Sequence, residues 1–212
     1  MLATEKLGSI TGRGTSIWSM TGSRRLSQAI SEGDGISVIV PVSDLDGARS
    51  AEAQGAEGLL VSAALRGIRE ATSLPVIWRG ADQPDTDGAD AYVLSAEGIE
   101  HEERQVEARY AQASELGLEC VVDVGHADEL EAALERLDPE VFLLSPRRAD
   151  GEDPLEHVLD LLPDLPAGKL AIADLSVTSR EEVVELERAG VDAVIAGTLD
   201  IVTLVSAAPP EV

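Results

Sequence analysis

The chain has 212 residues and 44% apolar content, enough for one sizeable core and close to the lower size limit of a closed β/α barrel. Its 40 acidic residues against 16 basic ones give a formal charge of -24, which repels nucleic-acid phosphates and anionic membranes and argues against both as partners. One cysteine excludes an intramolecular disulfide, and neither a signal-like apolar run in the first thirty residues nor a membrane-length apolar segment is present, so a cytoplasmic location is expected.

The N-terminal stretch, 1–35, reads as an extension in which 24–31 forms a helix covering the bottom of the fold and Trp18 is a packing residue. From 36 to 206 the chain repeats one theme. Short Val-, Ile- and Leu-rich runs at 36–42, 58–61, 75–78, 91–94, 119–124, 141–144, 170–173 and 193–196 are mostly separated by amphipathic, carboxylate-rich stretches. Near-continuous apolar runs of this length suit parallel strands buried on both faces, and strands alternating with helices predict an α/β fold. Eight of them make a (β/α)8 TIM barrel the simplest arrangement. No linker or low-complexity block divides the chain, so 1–212 is expected to be one domain.

The clearest helices are predicted at 102–116, 127–137, 154–162 and 179–189, the last opened by Ser179 and Glu182 as a capping box and stopped by Gly190. Between the third and fourth strands, ADQPDTDGAD is too short and turn-rich for a full helix, so one outer helix is expected to be missing or reduced. Strand alternation points Trp78 toward the helices if Arg79 faces the lumen. Cys120 sits among apolar neighbours and reads as an inert thiol, His126 as a helix-start residue, and His101 and His157 as surface residues.

Several phrases in this order carry a likeness. GLECVVDVGHADELEAAL at 117–134 and VTSREEVVELERAGVDAVIAGTLD at 177–200 resemble the fifth, seventh and eighth βα units of the indole-3-glycerol phosphate synthase family. ATSLPVIWRGAD at 71–82 and DGADAYVLSA at 87–96 resemble its third and fourth strands, and ISVIVPVS at 36–43 its first. The resemblance covers roughly 24–205 and implies a ribulose-phosphate-binding barrel with its site at the C-terminal ends of the strands.

It also implies which positions carried the chemistry. The family's general-acid lysine on the third strand falls at Arg79, and its first-strand glutamate and lysine fall at Pro41 and Ser43. Its glutamates on the fifth and seventh strands fall at Asp123 and Asp174, and its sixth-strand asparagine at Ser145. Arginine keeps its charge but, with a pKa above ~12, does not donate a proton readily near neutrality. The only lysines are Lys6 in the N-terminal stretch and Lys169 before the seventh strand, at the opposite end, which disfavours Schiff-base chemistry.

The family's phosphate arm is matched by Ser176, Gly197 and Thr198, with Arg147 at a substrate-contacting arginine; Leu175 and Ser176 replace its Ser-Gly pair, and Leu199 takes a small polar position. The loops after the first two strands are cut down to SDLDG and SAALRG. Asp123 and Asp174, facing each other across the mouth near Arg79, are either an acid/base pair, two metal ligands or a residual ion cluster; Arg147 and Arg148 either bind an anion together or offset Asp150, Glu152 and Asp153. No cofactor and no dedicated metal set is implied.

The expectation is a synthase-like barrel that has lost its catalytic lysines and binds a phosphorylated or anionic small molecule, another copy of itself or a protein partner without turnover. The alternative is a repurposed lyase or isomerase, or an authentic carbon-carbon lyase of tryptophan biosynthesis.

Overall fold

The computed structural model describes residues 24–33, 35–80, 88–99, 105–147, 149, 151 and 153–205. Eight parallel strands close in sequence order into a barrel, each pairing with its chain neighbours and β8 with β1. They are β1 (Ser37–Pro41), β2 (Gly58–Val61), β3 (Val76–Trp78), β4 (Ala91–Ser95), β5 (Glu119–Val124), β6 (Val141–Leu144), β7 (Leu170–Val177) and β8 (Ala193–Ala196). The helices are α1 (Arg25–Glu32), α2 (Leu45–Ala53), α3 (Ile68–Ala71), α4 (Gln105–Glu115), α5 (Ala127–Arg136), α6 (Pro154–Leu161), α7 (Arg180–Ala189) and α8 (Ile201–Val205).

The period-2 geometry of a strand divides the core in two. Ile39, Leu60, Ile77, Val121, Leu143, Ile172 and Ile195 fill the lumen together with Leu26 and Ile30 of α1. Their chain neighbours Val40, Leu59, Val76, Trp78, Val122, Phe142, Leu144 and Val194 pack outward with the helices. Trp78 is thus on the helix side, 5% exposed, as strand alternation predicts.

The bottom of the barrel is held by charge. Glu119, at the start of β5, accepts the Leu26 and Ser27 amides at the start of α1 at 2.7 and 3.0 Å, using one carboxylate for two of the donors a helix start leaves open. Burial outweighs those hydrogen bonds and raises the Glu119 pKa. Beside it, buried Asp90 accepts the Val76 amide at 2.8 Å and pairs with Arg69 at 2.6 Å and Arg25 at 3.1 Å.

One predicted strand is longer in the structure. β7 runs on to Val177, because its last residue pairs again with β8 after a bulge. α3, between β2 and β3, has only four residues, so the outer layer is reduced there. Between β3 and β4 the described residues carry no helix, and 81–87 lie outside the described residues, as do Lys6, Trp18, His101, Arg148, Asp150 and Glu152. No helix among the described residues is long and apolar enough to cross a membrane.

Candidate functional site

The C-terminal strand ends gather the predicted site residues into two ion clusters and one backbone feature. At the end of β5, Asp123 is 7% exposed and accepts the Ser145 hydroxyl at 2.6 Å. Ser145 follows β6 and is 2% exposed, so this contact is inside the barrel rather than on its rim. Arg147, two residues further, approaches Asp123 at 3.5 Å and donates to the Asp123 carbonyl at 3.1 Å.

The stronger partner of Arg147 is a residue that the sequence reading passed over. Glu129 lies in the first turn of α5, with no exposed side-chain surface, and takes two hydrogen bonds from the guanidinium, at 2.5 and 3.1 Å. The same carboxylate accepts the Gly125 amide at 2.8 Å. Burial works against the Arg147 charge, but the Glu129 hydrogen bonds and the Asp123 and Glu129 charges outweigh it and raise the arginine pKa. The signal was present in the spacing His126-Ala-Asp-Glu129: a cap residue followed three positions later by glutamate.

His126 is the N-cap of α5, its Nδ1 accepting the Glu129 amide at 3.4 Å, which is the helix-start role the sequence suggests. His157, expected on the surface, is instead part-buried with its Nε2 2.7 Å from the Gly125 carbonyl. The Gly125 peptide is therefore held from both sides, and a Cβ there would meet the Arg147 side chain at 2.9 Å. Arg147 is a strut between β5, β6 and α5, offset by Glu129 and Asp123.

The second cluster is the pair Arg79 and Asp174, joined at 2.5 Å between the ends of β3 and β7, the arginine side chain 34% exposed and the aspartate 15%. The two aspartates thus serve different arginines: Asp174 holds Arg79, and Asp123 sits with Ser145 and Arg147. Lys169, the only lysine among the described residues, pairs with Asp138 at 2.5 Å just before β7, at the opposite end.

The third feature is the β7 bulge. Ala173 pairs with Val194 but Val177 with Ala196, so 174–176 contains two residues more than the facing strand. Ser176 takes φ 50°, a left-handed conformation that a serine rarely adopts. Its carbonyl oxygen lies where a Cβ on Gly197 would sit, at 2.1 Å, so only glycine fits at 197. The Gly197 amide donates to the Val177 carbonyl at 2.7 Å, and Thr198 Oγ1 accepts the Asp200 amide at 3.1 Å. Ser176 and Gly197 are thus brought together, with Thr198 following. Among the described residues no group of three or more His, Cys, Asp or Glu side chains is placed to hold a metal ion.

No family model matches the chain. Curated relatives named indole-3-glycerol phosphate synthase do. The protein from Variovorax paradoxus is 36% identical over 110 residues, 52% of this chain and 41% of its own length. That from Acidithiobacillus ferrooxidans is 31% identical over 151 residues, 68% of this chain and 55% of its own, and that from Geobacillus thermodenitrificans 29% over 141 residues, 63% and 54%. The chain spans about half the length of the curated relatives it matches. Among solved structures, the N-acetylmannosamine-6-phosphate 2-epimerase of Clostridium perfringens superposes with a TM-score of 0.61 at 16% identity, covering 76% of this chain and 85% of that one, a likeness of fold. In sequence the chain is similar to the indole-3-glycerol phosphate synthases.

Proposed function

We propose that this synthase-like barrel does not close an indole ring and instead binds a small molecule or a partner at its open mouth without turnover. The observation that carries the reading is the Arg79 pair with Asp174 at 2.5 Å. The position at which the resemblance puts a proton-donating lysine holds a guanidinium, which keeps its proton near neutral pH and already spends a hydrogen bond on a carboxylate. General acid catalysis needs a group whose pKa lies near the working pH and whose proton is aimed at the substrate, and this arrangement supplies neither.

The rest of the mouth supports the same reading. Asp123 is engaged by Ser145 and Arg147, and Pro41 and Ser43 supply no charge at the end of β1. The loops after β1 and β2 are short and offer little cover on that side of the mouth.

The test is an indole-3-glycerol phosphate synthase assay joined to complementation of a tryptophan auxotroph, with the natural chain and Arg79→Lys. Neither form is expected to restore growth, since the first-strand charges are missing as well. Growth supported by the natural chain would overturn the proposal and return the protein to carbon-carbon lyase chemistry.

A further inference from the structure

The first helix of the chain is held from outside itself. α2, α5, α6 and α7 each begin with an N-cap residue whose own side chain accepts a first-turn amide: Asp44, His126, Asp153 and Ser179. α1 begins at Arg24, which has no side-chain acceptor to offer, and its first turn holds no acidic residue. The missing cap comes from Glu119, 93 and 92 positions away in sequence, whose two oxygens take the Leu26 and Ser27 amides at 2.7 and 3.0 Å. A carboxylate at that place also meets the positive end of the helix dipole.

The segment has little of its own to keep it helical. Its eight residues fall short of the roughly 12 to 15 that an isolated helix needs in water. Within it Gln28 donates to Glu32 at 2.9 Å and the Ser31 hydroxyl to the Ser27 carbonyl at 2.7 Å, and the C-cap Gly33 is already extended. What remains is contact with the barrel. Leu26 and Ile30 join the lumen cluster, Arg25 donates to Asp90 and to the Ser73 carbonyl, and Arg24 meets Glu140 in an exposed pair that contributes little. The ring of eight strands closes with no pairing from α1. Helical structure at 25–32 therefore depends on the seat, whereas the strand ladder does not depend on α1.

We infer that α1 is a detachable plug with its N-cap in trans: it is helical only while seated on Glu119, and it leaves the bottom of the barrel and unfolds as one unit while the eight strands stay closed. The opening lies at the end opposite the mouth, so the device stands whatever the mouth binds.

Amide hydrogen exchange of the full chain, followed by mass spectrometry over a range of urea below the unfolding transition, tests it. In the natural chain the amides of 26–32 are expected to exchange about tenfold or more faster than those of β6 and β7, and with a shallower dependence on urea, because opening the plug exposes far less surface than opening the barrel. Glu119→Ala, which removes both acceptors, is expected to speed 26–32 about tenfold further, and Glu119→Gln, which keeps one acceptor and the shape, about threefold, within the range of cap substitutions. In both variants β6 and β7 should keep the urea-steep exchange of a folded barrel. If Glu119→Ala does not fold, Glu119→Gln decides alone. Exchange of 26–32 in step with β6 and β7, at one rate and one urea slope, would overturn the inference, since α1 would then open only with the barrel. Unchanged exchange of 26–32 in Glu119→Gln would overturn it too, because the helix would not take its cap from that carboxylate.

Discussion

Glu129→Gln should be the most costly conservative change at the mouth. The side chain is fully buried and its carboxylate holds three hydrogen bonds, one from the Gly125 amide and two from Arg147, whose own side chain is only 24% exposed. Glutamine keeps the shape but removes the charge and turns one acceptor into a donor facing a guanidinium. Breaking one partner of a buried pair costs about 3 to 5 kcal/mol; the lower end applies, because Arg147 retains Asp123 at 3.5 Å. About 3 kcal/mol in a chain of this size lowers the Tm by roughly 6 to 12 °C. Urea unfolding with unchanged slope would report it, and Arg147→Met with the double variant completes a cycle. The double variant should recover part of the loss, since the buried guanidinium no longer lacks its Glu129 partner, while Asp123 keeps the Ser145 hydroxyl. A loss under about 1 kcal/mol for Glu129→Gln, or a cycle with no coupling, would refute the strut role of Arg147.

Gly197→Ala should destabilise the barrel severely, because the added Cβ would lie 2.1 Å from the Ser176 carbonyl oxygen and the contact is with backbone; thermal unfolding would show it, and a Tm within a degree or so of the natural chain would contradict the bulge geometry. Cys120 is pushed up to about 11 by burial, so iodoacetamide should label it slowly at pH 8 in the native protein and quickly in denaturant, as mass spectrometry can follow. The Thr178 and Ser179 amides hold the Glu182 carboxyl below its ordinary value despite some burial. Its folded pKa being depressed, the stabilisation is present above the unfolded value near 4.5 and is lost as pH falls through the folded one. The Tm gap between the natural chain and Glu182→Gln should therefore be open at pH 6 and close toward pH 3; a gap independent of pH would show that charge plays no part in that cap.

The barrel was legible because its signal is repeated and local. Each strand announces itself by a short apolar run, and the helix starts by side chains such as Ser179, whose partner Glu182 lies within one turn; both halves of that capping box are present. The β7 bulge was not legible, because it depends on how Val177 finds Ala196 on another strand, and no residue type in DLSV demands it. His157 is a similar case: its neighbour is a carbonyl 32 positions away, which no helical pattern can show.

The mouth divides along the same line. Resemblance assigned Arg79, Asp123, Asp174, Ser145 and Arg147 to strand ends, and they are there. Their pairing was a question of distance and burial. Arg147 lies 24 residues from Asp123 but 18 from Glu129, and it is the deeper burial of Glu129 that decides where the guanidinium turns, since a carboxylate with no access to water needs a cation more than one that keeps some exposure. Glu129 takes the closer hydrogen bonds of Arg147, Asp123 keeps the Ser145 hydroxyl and the guanidinium at 3.5 Å, and Arg79 pairs with Asp174 at the other side of the mouth. The partners of both arginines are thus set by distance and burial across the mouth, which no single phrase of the sequence carries.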